Sequence, residues 1–161
     1  TLGMTCLEDL GLCERIADGS KRKVLHFHRK GIELWEQAGP VLASPVEQKV
    51  YCDGLDTQEV YPVCGINALA HYTRLNPDPE RMVMMEARLF RSLSEAGSIK
   101  NPNFYDGDIV IEVWKYPPIT SHETKPMFVD RLSLALSLRD DTDARVEGEV
   151  EQLINKMEWK D

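Results

Sequence analysis

With 161 residues, of which 42% are hydrophobic and 29% charged, the chain can bury one core or two small ones. No apolar run approaches the roughly 18 residues that span a bilayer and no signal peptide is recognised, which predicts a cytoplasmic protein without a membrane segment. A formal charge of −8 argues against a surface that grips nucleic acid all over, and four cysteines without a CxxC pair predict reduced thiols, not a disulfide scaffold.

The positive charge is concentrated in one early segment. Residues 15–30 contain six basic side chains against one acidic side chain, Asp18, whereas residues 41–161 account for the whole net charge of −8. Because an acidic surface repels phosphate, the early basic segment is the part of the chain suited to contact a nucleic acid.

The first part of the chain predicts a helix followed by a β-hairpin. Apolar residues near a 3.6-residue period indicate a helix over residues 1–10, and Gly11 is a natural stop because glycine accepts the left-handed conformation that ends helices. Strands are predicted from Leu12 to Ala17 and from Lys23 to His28, with a tight turn at Asp18-Gly19 between them.

The second predicted strand should have two different faces. Alternation places Leu25 and Phe27 on one face and Val24, His26 and His28 on the other. Helical spacing resumes after Arg29 and is expected to weaken or end at Gly39-Pro40.

The remaining chain alternates strands and helices, which predicts a small α/β or α+β layer domain beginning near Ser44-Pro45. Residues 46–52 fit a strand or a short helix. The other predicted elements are a helix from Cys64 to Leu75, a strand from Arg81 to Glu86, a helix from Arg88 to Ala96, a strand from Asp108 to Tyr116 and a helix from Asp143 to Trp159. Residues 129–138 fit either type, and a helix is favoured because Asp130 can cap it.

The run from Leu7 to Ala38 is similar to the wing region of MarR-type and related winged-helix regulators. In that family an L-x-x-x-G-L end of the recognition helix precedes a wing rich in Asp-Gly and basic residues, and a Lys-Gly helix start follows. The matching residues are Leu7, Gly11, Leu12, Asp18, Gly19, Arg22, Lys23, Lys30 and Gly31, and His28 stands where threonine is usual. The resemblance implies that the helices preceding the recognition helix lie outside this sequence.

Residues 61–154 resemble the C-terminal part of bacterial winged-helix regulators, including AbiE-type antitoxin regulators. The similar segments are the helix beginning at Cys64, the strand within Gly107–Pro118 and the late helical region from Val129. The resemblance implies a domain for dimerisation, partner binding or effector sensing.

An enzymatic alternative is a metal nuclease of the PD-(D/E)xK type, in which carboxylates and a lysine converge on one strand face around Mg²⁺. Asp106 precedes the predicted strand, and Asp108 and Glu112 share a face with Trp114. Alternation sends Lys115 to the opposite face, so the catalytic lysine is missing. We therefore expect no enzyme, with Asp108 and Glu112 as a residual metal site at most.

Two other groups have the residue types of metal ligands. His26 and His28 could bind a metal from one strand face, but no cysteine or carboxylate completes a set at ligand spacing in the sequence. The run Asp140, Asp141 and Asp143 lacks the glycine and the terminal glutamate of a calcium loop, so it is expected to cap the last helix.

Two further groups are expected to belong to the core. Cys64 and His71 share one helix face, but a nucleophile pair would need an orienting group and an oxyanion hole that the sequence does not show. Aromatic residues could line a ligand pocket, and packing in the core is the favoured interpretation: these are Tyr61, Tyr72, Trp114 and Tyr116.

The sequence thus predicts a bacterial winged-helix transcriptional regulator, with a partial winged helix over residues 1–43 and a mixed α/β domain over residues 44–161. Its expected partners are double-stranded DNA, a second copy of the chain and a toxin-like protein, without cofactor, metal or membrane. A degenerate nuclease-fold domain and an antitoxin-type interaction module remain as alternatives. The residues predicted to contact DNA are Thr1, Thr5, Arg15, Lys21, Arg22 and Lys23.

Overall fold

A computed structural model of the chain describes residues 2–17, 19, 22–120 and 126–159. The fold is mixed α/β, and it divides into two compact units. The first consists of the described residues of 1–43 and 157–161, and the second is Ser44–Lys156. Within the described ranges, no helix is long and apolar enough to cross a membrane.

The first unit is a helix, a two-stranded hairpin and a second helix, as predicted. Helix α1 (Leu2–Asp9) is followed by Gly11, whose φ of +73° is the left-handed conformation that glycine adopts without strain. Strands β1 (Cys13–Ala17) and β2 (Lys23–Phe27) form the hairpin. Helix α2 (Gly31–Ala38) then tightens into a 3₁₀ turn at the predicted Gly39-Pro40.

The hairpin has one inner and one outer face, and the predicted division of β2 is confirmed. Leu25 and Phe27 are half-buried, and their partners across the hairpin are Arg15 and the buried Cys13. On the outer face the antiparallel register sets Glu14 opposite His26 and Ile16 opposite Val24, and all four of these side chains are exposed.

The second unit is built around a three-stranded sheet. Strand β7 (Ile109–Trp114) lies in its centre, between the antiparallel β3 (Val46–Cys52) and the parallel β5 (Arg81–Glu86). All six residues of β7 are buried. A separate pair, β4 (Gly54–Leu55) with β6 (Ile99–Lys100), forms a short ladder.

Helices cover both faces of this sheet, which explains why every residue of the central strand except Glu112 is apolar. Helix α4 (Ala87–Glu95) packs through Leu89, Phe90 and Leu93 on the face that carries Ile109, Ile111 and Val113. The opposite face, with Val110 and Trp114, is covered by α3 (Gly65–Tyr72), α5 (Arg131–Ser137) and α6 (Ala144–Asn155).

The structure also resolves the segments that the sequence left open. Residues 46–52 are a strand, and residues 131–137 are a helix capped by Asp130, whose Oδ2 accepts a 2.9 Å hydrogen bond from the Ser133 main-chain N–H. The last helix begins near the predicted Asp143 cap but ends at Asn155, four residues before Trp159. Trp159 belongs to the first unit, within which it packs against Gly31.

Candidate functional site

The hairpin presents basic side chains to solvent. Arg22 and Lys23 are exposed at its tip, and Arg29 and Lys30 are exposed after the end of β2. In the described part of the chain, no carboxylate forms an ion pair with Arg22 or Lys23. The predicted contacts Thr1 and Lys21, and the turn residue Asp18, lie outside the described residues.

Arg15 is held by α1 on the inner face of the hairpin. Its Nε lies 2.5 Å from Glu8 Oε1, and its Nη2 donates a 2.9 Å hydrogen bond to Thr5 Oγ1. Only 28% of the Arg15 side chain is exposed. Arg15 and Thr5, both predicted to contact DNA, therefore contact each other and fix the angle between α1 and β1.

Glu14, His26 and His28 converge on the outer face of the hairpin. Their ligand atoms lie within 4.8 Å of one another, and all three residues are exposed. The prediction that no carboxylate completes a set with the two histidines is wrong. Glu14 is twelve positions away from His26 along the chain, but it lies beside His26 across the hairpin. The missed signal was the register, since counting outward from the turn pairs Glu14 with His26.

Glu112 lies at the centre of a buried polar cluster in the second unit. It is fully buried on the face of β7 that α3, α5 and α6 cover, where the Trp114 indole Nε1–H donates a 3.1 Å hydrogen bond to its Oε1. The Cys64 thiol is buried beside the same carboxyl group, and Oε2 of that group is buried without a hydrogen-bond partner among the described residues. Lys49, its neighbour across the β3–β7 ladder, places Nζ 3.8 Å from Oε2. The cluster thus ties α3 to two strands.

The environment of this cluster favours neutral groups. Burial raises the pKa of the Glu112 carboxyl, and the Lys49 charge, the hydrogen bond from Trp114 and the neighbouring Cys64 thiol only partly oppose it. Burial also raises the pKa of the Cys64 thiol well above its usual value, and the neighbouring Glu112 adds to that rise. A thiol held protonated in this way is a poor nucleophile.

The structure does not bring Asp108 and Glu112 together as metal ligands. Asp108 is exposed before the start of β7, whereas Glu112 is enclosed inside the unit. Lys115 is exposed beyond the end of β7. Among the described residues, the cluster of Glu14, His26 and His28 is the group of three whose ligand atoms converge closely enough to hold a metal ion.

The other sequence candidates have structural contacts. His71 is exposed and stacks on Phe128, with ring centroids 3.7 Å apart, while Cys64 contacts Glu112 instead. Asp143 caps α6 as expected, accepting a 2.9 Å hydrogen bond from the Arg145 main-chain N–H.

Among the aromatic residues considered for a ligand pocket, Trp114 and Tyr61 are buried, as expected of core residues. Tyr72 lines a pocket in the second unit. That pocket has a volume of about 460 Å³ and also contains Arg74, Arg131 and Lys156. The Arg131 guanidinium lies 4.8 Å from the centre of the Tyr72 ring. These three cations outnumber the one carboxylate of the lining, that of Glu149, so the pocket has a net positive charge within a largely acidic unit.

The cysteines should differ sharply in reactivity. We expect iodoacetamide to modify Cys6, which is exposed, while Cys13, Cys52 and Cys64 stay protected until the chain is unfolded. Peptide mass spectrometry of the native chain, with and without denaturant, measures this difference. Modification of Cys64 as fast as that of Cys6 in the native chain would contradict the buried Cys64–Glu112 contact.

Comparison with known proteins finds no relative: no protein-family model, curated protein or solved structure matches this chain.

Proposed function

We propose that this chain is part of a winged-helix transcriptional regulator of the bacterial cytoplasm, and that its first unit binds double-stranded DNA. In this proposal α1 lies in the major groove and the hairpin follows the phosphate backbone as a wing. The acidic second unit then serves dimerisation, partner binding or effector sensing. The observation that carries the proposal is an exposed basic hairpin directly after a short helix.

The dimensions and the charge of the first unit support this proposal. An α-helix with its side chains is about 10–12 Å across, which fits the major groove of B-DNA, about 12 Å wide, and α1 supplies about two helical turns. Arg22 and Lys23 are exposed and do not pair with described carboxylates, so they can neutralise phosphates and release counterions. Arg15, which is also predicted to contact DNA, is bound to Glu8 and Thr5 of α1, and these contacts position α1 against the hairpin.

The nuclease alternative receives no support from the second unit. Its two carboxylates have different environments, and the Glu112 oxygens face Trp114, Cys64 and Lys49 instead of an open site. The antitoxin-type alternative assigns no role to the exposed basic side chains of the hairpin.

The proposal predicts that DNA affinity depends on the hairpin tip. We expect replacement of Lys21, Arg22 and Lys23 together by alanine to weaken binding at least about tenfold at moderate salt, because three phosphate contacts are lost. The slope of log K against log salt concentration should become shallower by about 2.7. Fluorescence anisotropy of labelled duplex DNA, at several salt concentrations, measures both quantities for the full chain.

The matched control removes three positive charges from the second unit. Arg88, Arg91 and Lys115 are exposed there, and their replacement by alanine changes the net charge by the same amount. This control variant should bind DNA with an affinity within about twofold of that of the unmodified chain. Its slope of log K against log salt concentration should be unchanged. Equal losses in the two variants, or failure of the unmodified chain to bind DNA, would overturn the proposal.

A further inference from the structure

We propose that Glu14, His26 and His28 form a binding site for a divalent transition-metal ion, with Zn²⁺ as the reference ion. The three residues lie at the base of the hairpin on its outer face. This inference does not rest on DNA binding, and it concerns residues that the proposed function does not use.

The hairpin backbone fixes the positions of all three residues. Glu14 and His26 are direct partners in the antiparallel ladder, so their side chains leave the same face of the hairpin. His28 follows two residues after His26, and its main-chain N–H donates a 3.2 Å hydrogen bond to the Leu12 carbonyl. That bond continues the pairing beyond the end of β2 and keeps His28 beside His26.

The donor atoms are already close to metal-binding separation. His26 Nδ1 lies 4.0 Å from Glu14 Oε1, and the two imidazole rings are 6.4 Å apart at an angle of 74°. A tetrahedral zinc ion bound at about 2.0–2.2 Å needs donors separated by roughly 3.4 Å. The side chains of His26 and Glu14 are 59% and 61% exposed, so small rotations can bring the donors inward without disturbing the core.

The chemistry of the set selects the kind of ion. Two imidazoles and one carboxylate suit Zn²⁺, Co²⁺, Ni²⁺ or Cu²⁺, whereas Mg²⁺ and Ca²⁺ prefer oxygen ligands. Three protein ligands leave at least one coordination position for water or for a ligand from outside the chain. The neighbours toward the hairpin tip, Ile16 and Val24, are exposed and apolar, so they provide no competing ligand.

Binding would have a local structural effect. Two-stranded hairpins are only marginally stable by themselves, and a metal ion held by Glu14 of β1, His26 of β2 and His28 just after β2 would cross-link the strands. The amides of Glu14 to Ala17 and of Lys23 to Phe27 should therefore exchange with solvent more slowly when Zn²⁺ is present. Hydrogen exchange with mass spectrometry gives this readout without any assumption about activity.

The direct test is titration of the metal-free full chain with Zn²⁺ by calorimetry and with Co²⁺ by visible absorption. We expect one ion per chain. His26→Ala and His28→Ala should each weaken binding about 100-fold, and Glu14→Gln about tenfold or more. His71→Ala, which removes an exposed histidine of the second unit, should leave binding unchanged, and far-ultraviolet circular dichroism checks that each variant is folded.

Two further variants keep the outcome decisive. Cys6→Ser removes the exposed thiol, and loss of binding in this variant would assign the metal to Cys6 and overturn the proposal. His26→Asn and His28→Asn replace the alanine variants if those change the circular dichroism spectrum. Absence of binding by the unmodified chain, or binding that survives loss of both histidines, would also overturn it.

Discussion

Replacement of Gly107 by alanine is expected to destabilise the second unit by about 3 kcal/mol or more. Gly107 lies before β7 and passes closely over the last residue of β3. A Cβ atom at this position would overlap the carbonyl oxygen of Cys52 and lie 2.8 Å from its main-chain N and C atoms. Because all these neighbours are backbone atoms, no side-chain rotation relieves the overlap.

The loop can accommodate alanine only by moving away from the sheet. Such a movement would weaken the pairing of Cys52 with Ile109, where the β3–β7 ladder ends. The buried thiols of Cys52 and Cys64 report directly on unfolding of this unit, so their modification in a urea series measures its stability apart from that of the first unit. In Gly107→Ala, the urea concentration at which half of the Cys52 and Cys64 thiols become modified should decrease substantially, and by the same amount for both thiols.

Gly148 provides the matched control for the same chemical change. It is exposed in the middle of α6, and a Cβ atom there would meet no atom within 4 Å. Alanine is a better helix former than glycine by about 1 kcal/mol, so Gly148→Ala should raise the midpoint that Gly107→Ala lowers. Equal midpoints in the two variants would show that the close approach of Gly107 to Cys52 is absent in solution.

The elements that the sequence predicted well are those set by local chemistry. Gly11 ends α1 through its left-handed conformation, and Asp130 caps α5 through a hydrogen bond three residues away. The alternation of β2 likewise divides Leu25 and Phe27 from His26 without reference to the rest of the fold.

The features that escaped prediction depend on contacts between distant residues. The partner of His26 is Glu14 across a turn, and the partners of Glu112 include Cys64 and Lys49, which belong to other elements. Alternation correctly placed Glu112 on the same face as Trp114, but it could not show that this face is buried beneath helices. Burial converts a candidate metal ligand into a structural carboxyl group.

The second large effect is expected at Glu112 and should depend on pH. Glu112→Ala leaves a cavity between β7 and α3, and it removes the acceptor for the buried Trp114 indole N–H. Together these losses should destabilise the second unit by about 3 kcal/mol near pH 5. The loss should be smaller near pH 8, because the unmodified chain then bears the cost of a buried negative charge.

The unmodified chain should lose stability as the pH rises, because the pKa of the Glu112 carboxyl is raised in the folded chain. The folded state binds this proton more tightly than the unfolded state, whose carboxyl has its ordinary pKa near 4.5. The associated stability is therefore fully present below pH 4.5 and is lost as the pH rises through the folded value. The pKa of the Asp143 carboxyl is lowered, so the stability that its ionised form contributes is lost only as the pH decreases below 3.8. That pH range lies outside the one in which Glu112 titrates.

Glu112→Gln separates the charge from the packing. Glutamine keeps the volume and an oxygen that can accept the Trp114 hydrogen bond, but it does not titrate. As the pH rises from 5 to 8, the stability of Glu112→Gln should increase relative to that of the unmodified chain. The stability of Lys49→Met should decrease relative to the unmodified chain, because a positive charge 3.8 Å from Oε2 is removed. Lys49 is half exposed, so its effect should be the smaller of the two.

Urea midpoints reported by Cys52 and Cys64 at pH 5 and pH 8 measure all three variants. A Glu112→Gln variant that loses stability relative to the unmodified chain as the pH rises would show that the folded state prefers the ionised carboxylate. In that case Lys49 would outweigh burial, and the cluster would be a buried ion pair. If the predicted direction holds, Glu112 is instead a carboxyl group whose proton is part of the packing between α3 and the central strand.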